Sequence, residues 1–385
     1  MTVRLVDRPE SFGALLTEIA GAPLVALDTE AASFHRYHDR IYLIQLSTPT
    51  LTAVIDPLGV GDLAPIGALL ADPAVEKVFH DADYDLRLFD KEFGFHAKCL
   101  FDTRIAAQFL NEPGIGLAAL LEKYFEVTAD KRFQRADWSV RPLSPAMLDY
   151  AAGDTINLCE LRSLLLQKLE QVGRRSWVLE EFDRLEGTRW TAAAADPTAD
   201  FLRMKGARVL DRRGLAVLGE LHRWRSVTAA TLDRAEFRVM GNDVLIALAE
   251  RPVTTAEELA AVRGVGREML ERRGPEIVGA IAHGLAVPDA ELPRIPRAAR
   301  RAADPGYELR LEALKKTRNA LAQQLQLAPG VLCPNGTLEA IAQAEPETLD
   351  ELGQIAEVRR WQLEVVGTEL LATVHATSSN IAKEA

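Results

Sequence analysis

The pattern of apolar and polar positions divides the chain into two unlike parts. Short apolar runs at residues 24–30, 41–47, 51–55, 76–80 and 99–101 have strand length and end in turn-forming residues. Thr48-Pro-Thr50 is short enough to join the second and third runs as a hairpin, and Asp56-Pro-Leu-Gly59 closes the third. Helical periodicity covers 63–70, 83–93, 103–110 and 117–125, then one long helix over 144–172. Ser144-Pro145 is a start signal for that helix, with serine as N-cap and proline in the first turn. Three strands in succession, followed by strands alternating with helices, predict an α/β domain on one mixed sheet. From residue 201 onward no strand is predicted. Helices are predicted over 210–230, 242–249, 255–262 and 269–283, and a second helical block over 307–374. Both blocks run from a long amphipathic helix through short helices to a closing helix, which suggests two related modules. The divisions are 1–200, 201–288, a linker rich in Pro, Arg and Ala over 289–306, 307–376, and a short polar tail over 377–385 that is expected to fray.

Composition narrows the class. A chain of 385 residues, 48% of them hydrophobic, can hold two or three domains with their own cores. Its three cysteines, Cys99, Cys159 and Cys333, form no CxxC pair, so neither a disulfide framework nor a thiolate zinc site is suggested. The first twenty residues are interrupted by charges, unlike a secretory signal, and no run approaches the roughly 18 apolar residues of a membrane span. A soluble cytoplasmic protein with no membrane partner is expected. The net charge of −11 is unevenly spread, with −11 over residues 1–200, +6 over 201–320 and −6 over 321–385. A basic middle between acidic flanks leaves room for a nucleic-acid partner, although simple composition drift would also produce it.

The candidate chemistry starts at Leu24-Val-Ala-Leu-Asp-Thr-Glu30. On a strand, side chains alternate, so Asp28 and Glu30 share one side of the sheet. Two like charges about 4 Å apart repel by ~4 kcal/mol at an effective dielectric of ~20. A cation would offset that repulsion, and so would a solvated acidic loop. On the predicted helix over 83–93, Asp85 falls among Ala82, Leu88 and Phe89 on the inward stripe, while Asp83 and Asp90 fall outward with Arg87 and Lys91. On the long helix, Asp154 falls with Met147, Tyr150, Leu158, Leu161 and Leu165 within about 80° on the wheel. Tyr150 precedes it by one turn. A core tyrosine bonded to Asp154 is the alternative. A carboxylate in an apolar stripe is costly unless bound, so Asp28, Glu30, Asp85 and Asp154 point to hard divalent cations such as Mg²⁺ or Mn²⁺. Two such ions suit in-line displacement at phosphorus. His35, His38 and His80 lack partners at ligand spacing.

The ordered set Asp28-Thr-Glu30, His80-x-Ala82-x-x-Asp85-Leu86 and Tyr150-x-x-x-Asp154 resembles the three exonuclease motifs of the DEDD superfamily, tyrosine subclass. Ile44-Gln45-Leu46, and Asp137-Trp138 ahead of Arg141-Pro142-Leu143, resemble its ribonuclease D branch. The resemblance implies a ribonuclease H-like mixed-sheet exonuclease domain followed by two all-α helical domains of the HRDC type. It also implies 3′-5′ exoribonuclease activity releasing 5′-nucleotides, with tRNA precursors and other small structured RNAs as substrates. Asp28, Glu30 and Asp154 would hold one of two metal ions, Asp28 would be shared with the second, Asp85 would serve the second, and Tyr150 would hydrogen-bond the attacking water. A monomer is expected. A DNA 3′-5′ exonuclease and a non-catalytic RNA-binding scaffold are the competing readings.

For backbone contacts to RNA, Lys131, Arg132, Arg135 and Arg141 stand near the motifs. Arg208, Arg212, Arg213, Arg223 and Arg225 cluster in the basic middle. Val262-Arg-Gly-Val-Gly266 offers either backbone N–H groups to a phosphate or a plain interhelical turn. Trp138, Trp224 and Trp361 suit core positions better than base stacking.

Overall fold

Strand β2 (Leu24–Ala31) lies inside a six-stranded sheet of order β1-β4-β3-β2-β5-β6, in a computed structural model that describes residues 3–191, 200–295 and 305–384. The other strands are β1 (Val3–Val6), β3 (Ile41–Ser47), β4 (Thr52–Ile55), β5 (Glu76–Phe79) and β6 (Leu100–Asp102). Only β3 runs antiparallel to its neighbours, through the hairpin to β4 and its pairing with β2. Helices α1 (Pro9–Ile19), α2 (Pro57–Val60), α3 (Ala64–Ala71), α4 (Asp83–Phe93), α5 (Thr103–Phe109), α6 (Leu117–Phe125), α7 (Pro145–Gly153), α8 (Leu158–Gln171) and α9 (Arg175–Leu185) flank it. The mixed sheet follows the hydrophobic pattern closely. Strand β1 and helix α1 do not, because their charged residues mask the short period.

The long helix expected over 144–172 is two helices. Ser144 caps α7 as the sequence predicts, accepting the Met147 N–H. The helix then stops at Gly153, a poor helix former, and Asp154-Thr-Ile-Asn157 supplies side chains that favour turns over helix. Thr155 is buried, and its hydroxyl lies 2.8 Å from that of Ser47 on β3. Asp154 therefore sits at the C-terminal end of α7 and not within a continuous helix.

The two faces of the sheet carry different cores. Val25 and Leu27 of β2 join Ile44 and Leu46 of β3 against α1, α3 and α4. Ala26 faces α5 and α8, and Leu43 and Val54 face Trp138 and the buried alanines of α7. Alternation along β2 puts Asp28 and Glu30 on this second face and Thr29 on the first.

No strand occurs after residue 200 among the described residues. The first helical module holds α10 (Arg212–Leu232), α11 (Glu236–Val239), α12 (Asn242–Glu250), α13 (Ala256–Ala260) and α14 (Arg267–Ala286). The second holds α15 (Pro305–Gln324), α16 (Pro329–Leu332), α17 (Asn335–Ala344), α18 (Leu349–Gly353) and α19 (Arg360–Glu384). Helix α19 runs on to Glu384, through the segment expected to fray. Most of the expected linker, 296–304, lies outside the described residues.

The suspected kinship of the modules is visible in their polar cores. Buried Arg225 donates to the Met240 carbonyl and the Asn242 side chain. Buried Arg318, 93 residues later, donates to the Cys333 carbonyl and the Asn335 side chain at the same offset. Asp233 and Gln326 end the long helices at positive φ, and Thr255 and Thr348 cap the short ones, again 93 residues apart. In each module a single guanidinium nitrogen, Nη1, donates to both the carbonyl and the Asn side-chain oxygen.

Both modules dock on the sheet domain through backbone capping. Glu180 on α9 accepts the N–H groups of Arg360 and Trp361 at the start of α19, at 2.8 and 3.0 Å. Trp361 is buried there, stacked on Trp177 with ring centroids 5.3 Å apart. On the other side, the loop after β2 meets the first module. Ala235 N–H donates to the His35 carbonyl at 3.0 Å, and Asp233 accepts the N–H groups of Tyr37 and His38 at 3.2 and 3.3 Å.

Removing either buried arginine leaves its acceptors unpaired, a loss of about 3 kcal/mol. Arg225→Ala is expected to destabilise the first module and Arg318→Ala the second, each read by amide hydrogen exchange of its own long helix. A shift below about 1 kcal/mol in either would remove the structural role argued for the pair.

Candidate active site

Strand β2 delivers Asp28 and Glu30 to the face where α7 ends, and Asp154 stands at that end. One carboxylate oxygen from each of the three lies within 4.8 Å of the others. Asp85 arrives differently. It sits in the first turn of α4, on the opposite face of the sheet, buried, and accepts a hydrogen bond from the Thr29 hydroxyl. The sequence placed all four acids inward but left out Thr29, whose position between Asp28 and Glu30 on the alternate face is what reaches Asp85. It also left out Asp102. That buried carboxylate accepts the N–H groups of Asp81 and Ala82 at 3.2 and 2.8 Å and of Arg104 and Ile105 at 2.8 and 3.1 Å. It fixes the start of α4, and so of Asp85, to the start of α5. An aspartate just ahead of a predicted helix was the available signal.

The electrostatics show what the cluster lacks. Burial, then the charges of Asp85, Asp154 and Glu30, push the Asp28 carboxyl well above the usual range. Burial, then Asp154 and Asp85, do the same to Glu30. Burial raises Asp85 to about 7 and Asp154 to about 6. No lysine or arginine among the described residues is a leading cause of these shifts. Oxygen donors alone, crowded and without a cationic side chain, are the donor set of a hard divalent ion. Gln45, paired in register with Asp28, is fully buried and its amide has no partner among the described residues. That orphaned group beside the acids also suits a site built around polar occupants.

Tyr150 is half-buried, with its ring 5.7 Å from Phe133 and 5.9 Å from Trp138. Its hydroxyl makes no hydrogen bond to Asp154 among the described residues, so it is not the satisfied core pair that the sequence left open. Burial, then Asp154, Glu30 and Asp28, raise its pKa, so the phenol keeps its proton. His80 is held at Thr103, 2.9 Å away, and burial lowers it to about 4. His35 points Nε2 at the Arg135 carbonyl at 2.8 Å.

The basic candidates divide. Lys131 and Arg135 are exposed, as is Arg132, which pairs with Asp130. Arg223 is exposed beside Glu220. Arg141 is committed inside the protein, to Asp56 and to the carbonyls of Trp138 and Tyr42. Arg212 donates to the carbonyls of Asp289 and Leu292, and Arg213 to those of Leu285 and Val287. With Arg225 buried, the arginines near 212–225 form no single basic patch. Their sequence proximity is spread around a helix and spent on its neighbours. The Val262–Gly266 segment is an interhelical turn with Gly264 at φ 97°, a conformation open to glycine, and Gly266 opens α14. Trp138 is buried, and the Trp224 indole donates to Glu276.

The raised carboxyl pKa values carry a stability consequence. Unfolded Asp and Glu titrate near ~3.9 and ~4.3, so each folded value is raised. Without cations, stability is therefore lost as pH rises from about 4, and for Asp85 the loss is complete above about 7. Millimolar Mg²⁺ or Mn²⁺ is expected to raise the melting temperature by several degrees at pH 8 and by little at pH 5. Asp28→Ala should lose most of that shift. A melting temperature indifferent to chelator at pH 8 would count against a metal centre.

Comparison with known proteins agrees with this arrangement. The 3′-5′ exonuclease family matches residues 3–170, and the HRDC domain family matches residues 214–281 and 308–374. Ribonuclease D of Granulibacter bethesdensis is 35% identical over 96% of this chain and 91% of its own length. Ribonuclease D of Escherichia coli is 30% identical over 76% of this chain and 78% of its own. The crystal structure of Escherichia coli RNase D, described as an exoribonuclease involved in structured RNA processing, superposes with a TM-score of 0.71 at 26% identity, covering 98% of this chain and 99% of that one. The chain belongs to the ribonuclease D family and is a 3′-5′ exoribonuclease with an α/β exonuclease domain and two HRDC domains.

Proposed function

We propose that this exoribonuclease trims the 3′ ends of tRNA precursors and other small structured RNAs, using two divalent cations, Mg²⁺ or Mn²⁺. The observation that carries this is the approach of Asp28, Glu30 and Asp154 within 4.8 Å, with Asp85 beside them through Thr29. Asp28, Glu30 and Asp154 would hold one cation, and Asp28 and Asp85 would hold a second. Cations in that position supply charge neutralisation and Lewis acidity at the phosphodiester. Tyr150, protonated, hydrogen-bonds the attacking water and orients it, and does not act as a general base. Water adds to the terminal phosphorus, the 3′ oxygen of the penultimate nucleotide leaves with a proton, and a 5′-nucleotide is released.

The catalytic domain spans 1–200 in this reading, the helical domains 201–288 and 307–376, with 289–306 as linker and 377–385 as tail. Lys131, Arg132 and Arg135 are the basic side chains near the site that remain exposed for RNA. Cys99, Cys159 and Cys333 are free thiols, which suits a reducing cytoplasm. No helix among the described residues is long and apolar enough to cross a membrane. Docking of both modules on one sheet domain favours a monomer.

The test is digestion of 5′-labelled RNA and DNA of matched sequence, with Mg²⁺, Mn²⁺ or chelator. A ladder shortening from the 3′ end on RNA alone is expected, with Asp28→Ala inactive. Tyr150→Phe should fold normally and lose about 100-fold in kcat, the scale of a lost positioning contact. Equal digestion of DNA would widen the substrate class. Near-normal turnover by Tyr150→Phe would end its role at the water.

A further inference from the structure

The seam between the exonuclease domain and the first HRDC domain exposes two aromatic rings that no catalytic role accounts for. Phe34, four residues after Glu30, is 39% exposed, and Phe237 of α11 is 48% exposed. Their ring centroids are 4.8 Å apart. Arg238 lies 5.1 Å from the Phe34 ring and Arg135 lies 5.4 Å from it. A seam built only for stability would cover such rings, since exposed aromatic surface forfeits its burial energy.

The backbone carrying Phe34 is fixed from both domains. Its carbonyl accepts from Arg238 Nε at 2.7 Å, and the neighbouring His35 carbonyl accepts from Ala235 at 3.0 Å. From the catalytic side, His35 Nε2 meets the Arg135 carbonyl at 2.8 Å and Arg36 donates to Ser139 at 2.7 Å. The rings are therefore presented on a rigid support, which lowers the entropic cost of binding. The surface also lies near the site. Phe133, two residues before Arg135, packs on Tyr150, and four residues of chain separate Phe34 from Glu30 by at most ~14 Å.

We propose that Phe34 and Phe237, flanked by Arg135 and Arg238, form a stacking platform for the unpaired bases just upstream of the scissile 3′ nucleotide. The proposal rests on the exoribonuclease reading and adds a substrate property to it. Aromatic faces stack on any base, and the arginines add cation–π contact and attraction to the backbone. Bases inside a helix are already stacked and cannot lie on the platform. The seam thus selects RNAs with a single-stranded 3′ tail long enough to pass from the acids to the junction, without reading their sequence. Because one ring comes from each domain, the platform exists only while the first HRDC domain is docked.

The test uses the full chain and RNAs with single-stranded 3′ tails of graded length, from a dinucleotide that cannot reach the platform to tails that can. For Phe237→Ala and for the Phe34→Ala/Phe237→Ala double variant, the ratio of kcat/KM on long tails to that on the dinucleotide is expected to fall about tenfold, within the range for loss of base–aromatic stacking. The loss should appear in KM, and Phe237→Trp should restore the ratio where Phe237→Leu does not. An unchanged ratio would overturn the platform. So would a fall shared equally by all lengths, which is the signature of a merely structural seam. Fluorescence anisotropy with tailed RNA in chelator reads the platform without catalysis. About tenfold weaker binding by the double variant supports it, and equal binding overturns it, even if the unsubstituted protein were to shorten no RNA.

Discussion

Four carboxylates brought to one end of a strand, with no cationic side chain among them, set the terms for the rest of this structure. Left to themselves they repel, and burial raises the free energy of every charge. The fold holds them in place through backbone geometry more than through ion pairs. Strand β2 is anchored to parallel β5 over Leu24–Ala26 and stays paired with antiparallel β3 through Asp28 and Glu30, which fixes the two acids on one face. Thr29, on the alternate face, fastens Asp85, and Asp102 fastens the helix that carries it. The break after Gly153 places Asp154 at a helix end, where its carboxylate can turn toward the strand. Such a cluster lowers stability without a ligand and is retained where its occupant supplies the compensating charge.

A second constraint recurs at the joints. Helix ends and loops leave N–H groups without partners, and carboxylates from neighbouring elements supply them. Asp102 joins two helix starts within the catalytic domain. Glu180 caps α19 of the second HRDC domain, and Asp233 caps the loop after β2 from the first. Part of the excess of acid in this chain is thus structural and internal. The loop after β2 belongs to both the catalytic face and the first HRDC domain, so the position of that domain bears on the mouth of the site.

The kinship of the HRDC domains shows how little sequence identity a shared core requires. Arg225 and Arg318, with Asn242 and Asn335, hold the same offset, as do the buried leucines Leu221 and Leu314, Leu245 and Leu338, and Leu259 and Leu352, while most of the other residues around them differ. The surfaces diverge accordingly. The first domain meets the β2 loop with Phe237 and Arg238, and the second meets α9 with Arg359 and Trp361.

Much of this was legible in the chain itself. Apolar periodicity located five of six strands, and Asp28, Glu30, Asp85 and Asp154 stood out because a carboxylate on an inward stripe needs a reason. Spacing alone carried those positions, since strand and helix periods are local properties of the backbone. Strand β1 was missed because Arg4 splits its apolar residues and Asp7 and Arg8 follow directly, so no apolar run stands out. The helix break at 154–157 was missed because its turn residues fit a helical wheel until Thr155 found Ser47. Tertiary contacts alone decided which face each acid came from, and whether an arginine faced solvent or a carbonyl. Arg141, Arg212 and Arg225 read as basic surface, yet their guanidinium Nη groups donate inside the fold to partners on other elements, such as Asp56, Leu292 and Asn242. Charge is written in a residue, but exposure is a property of what folds over it.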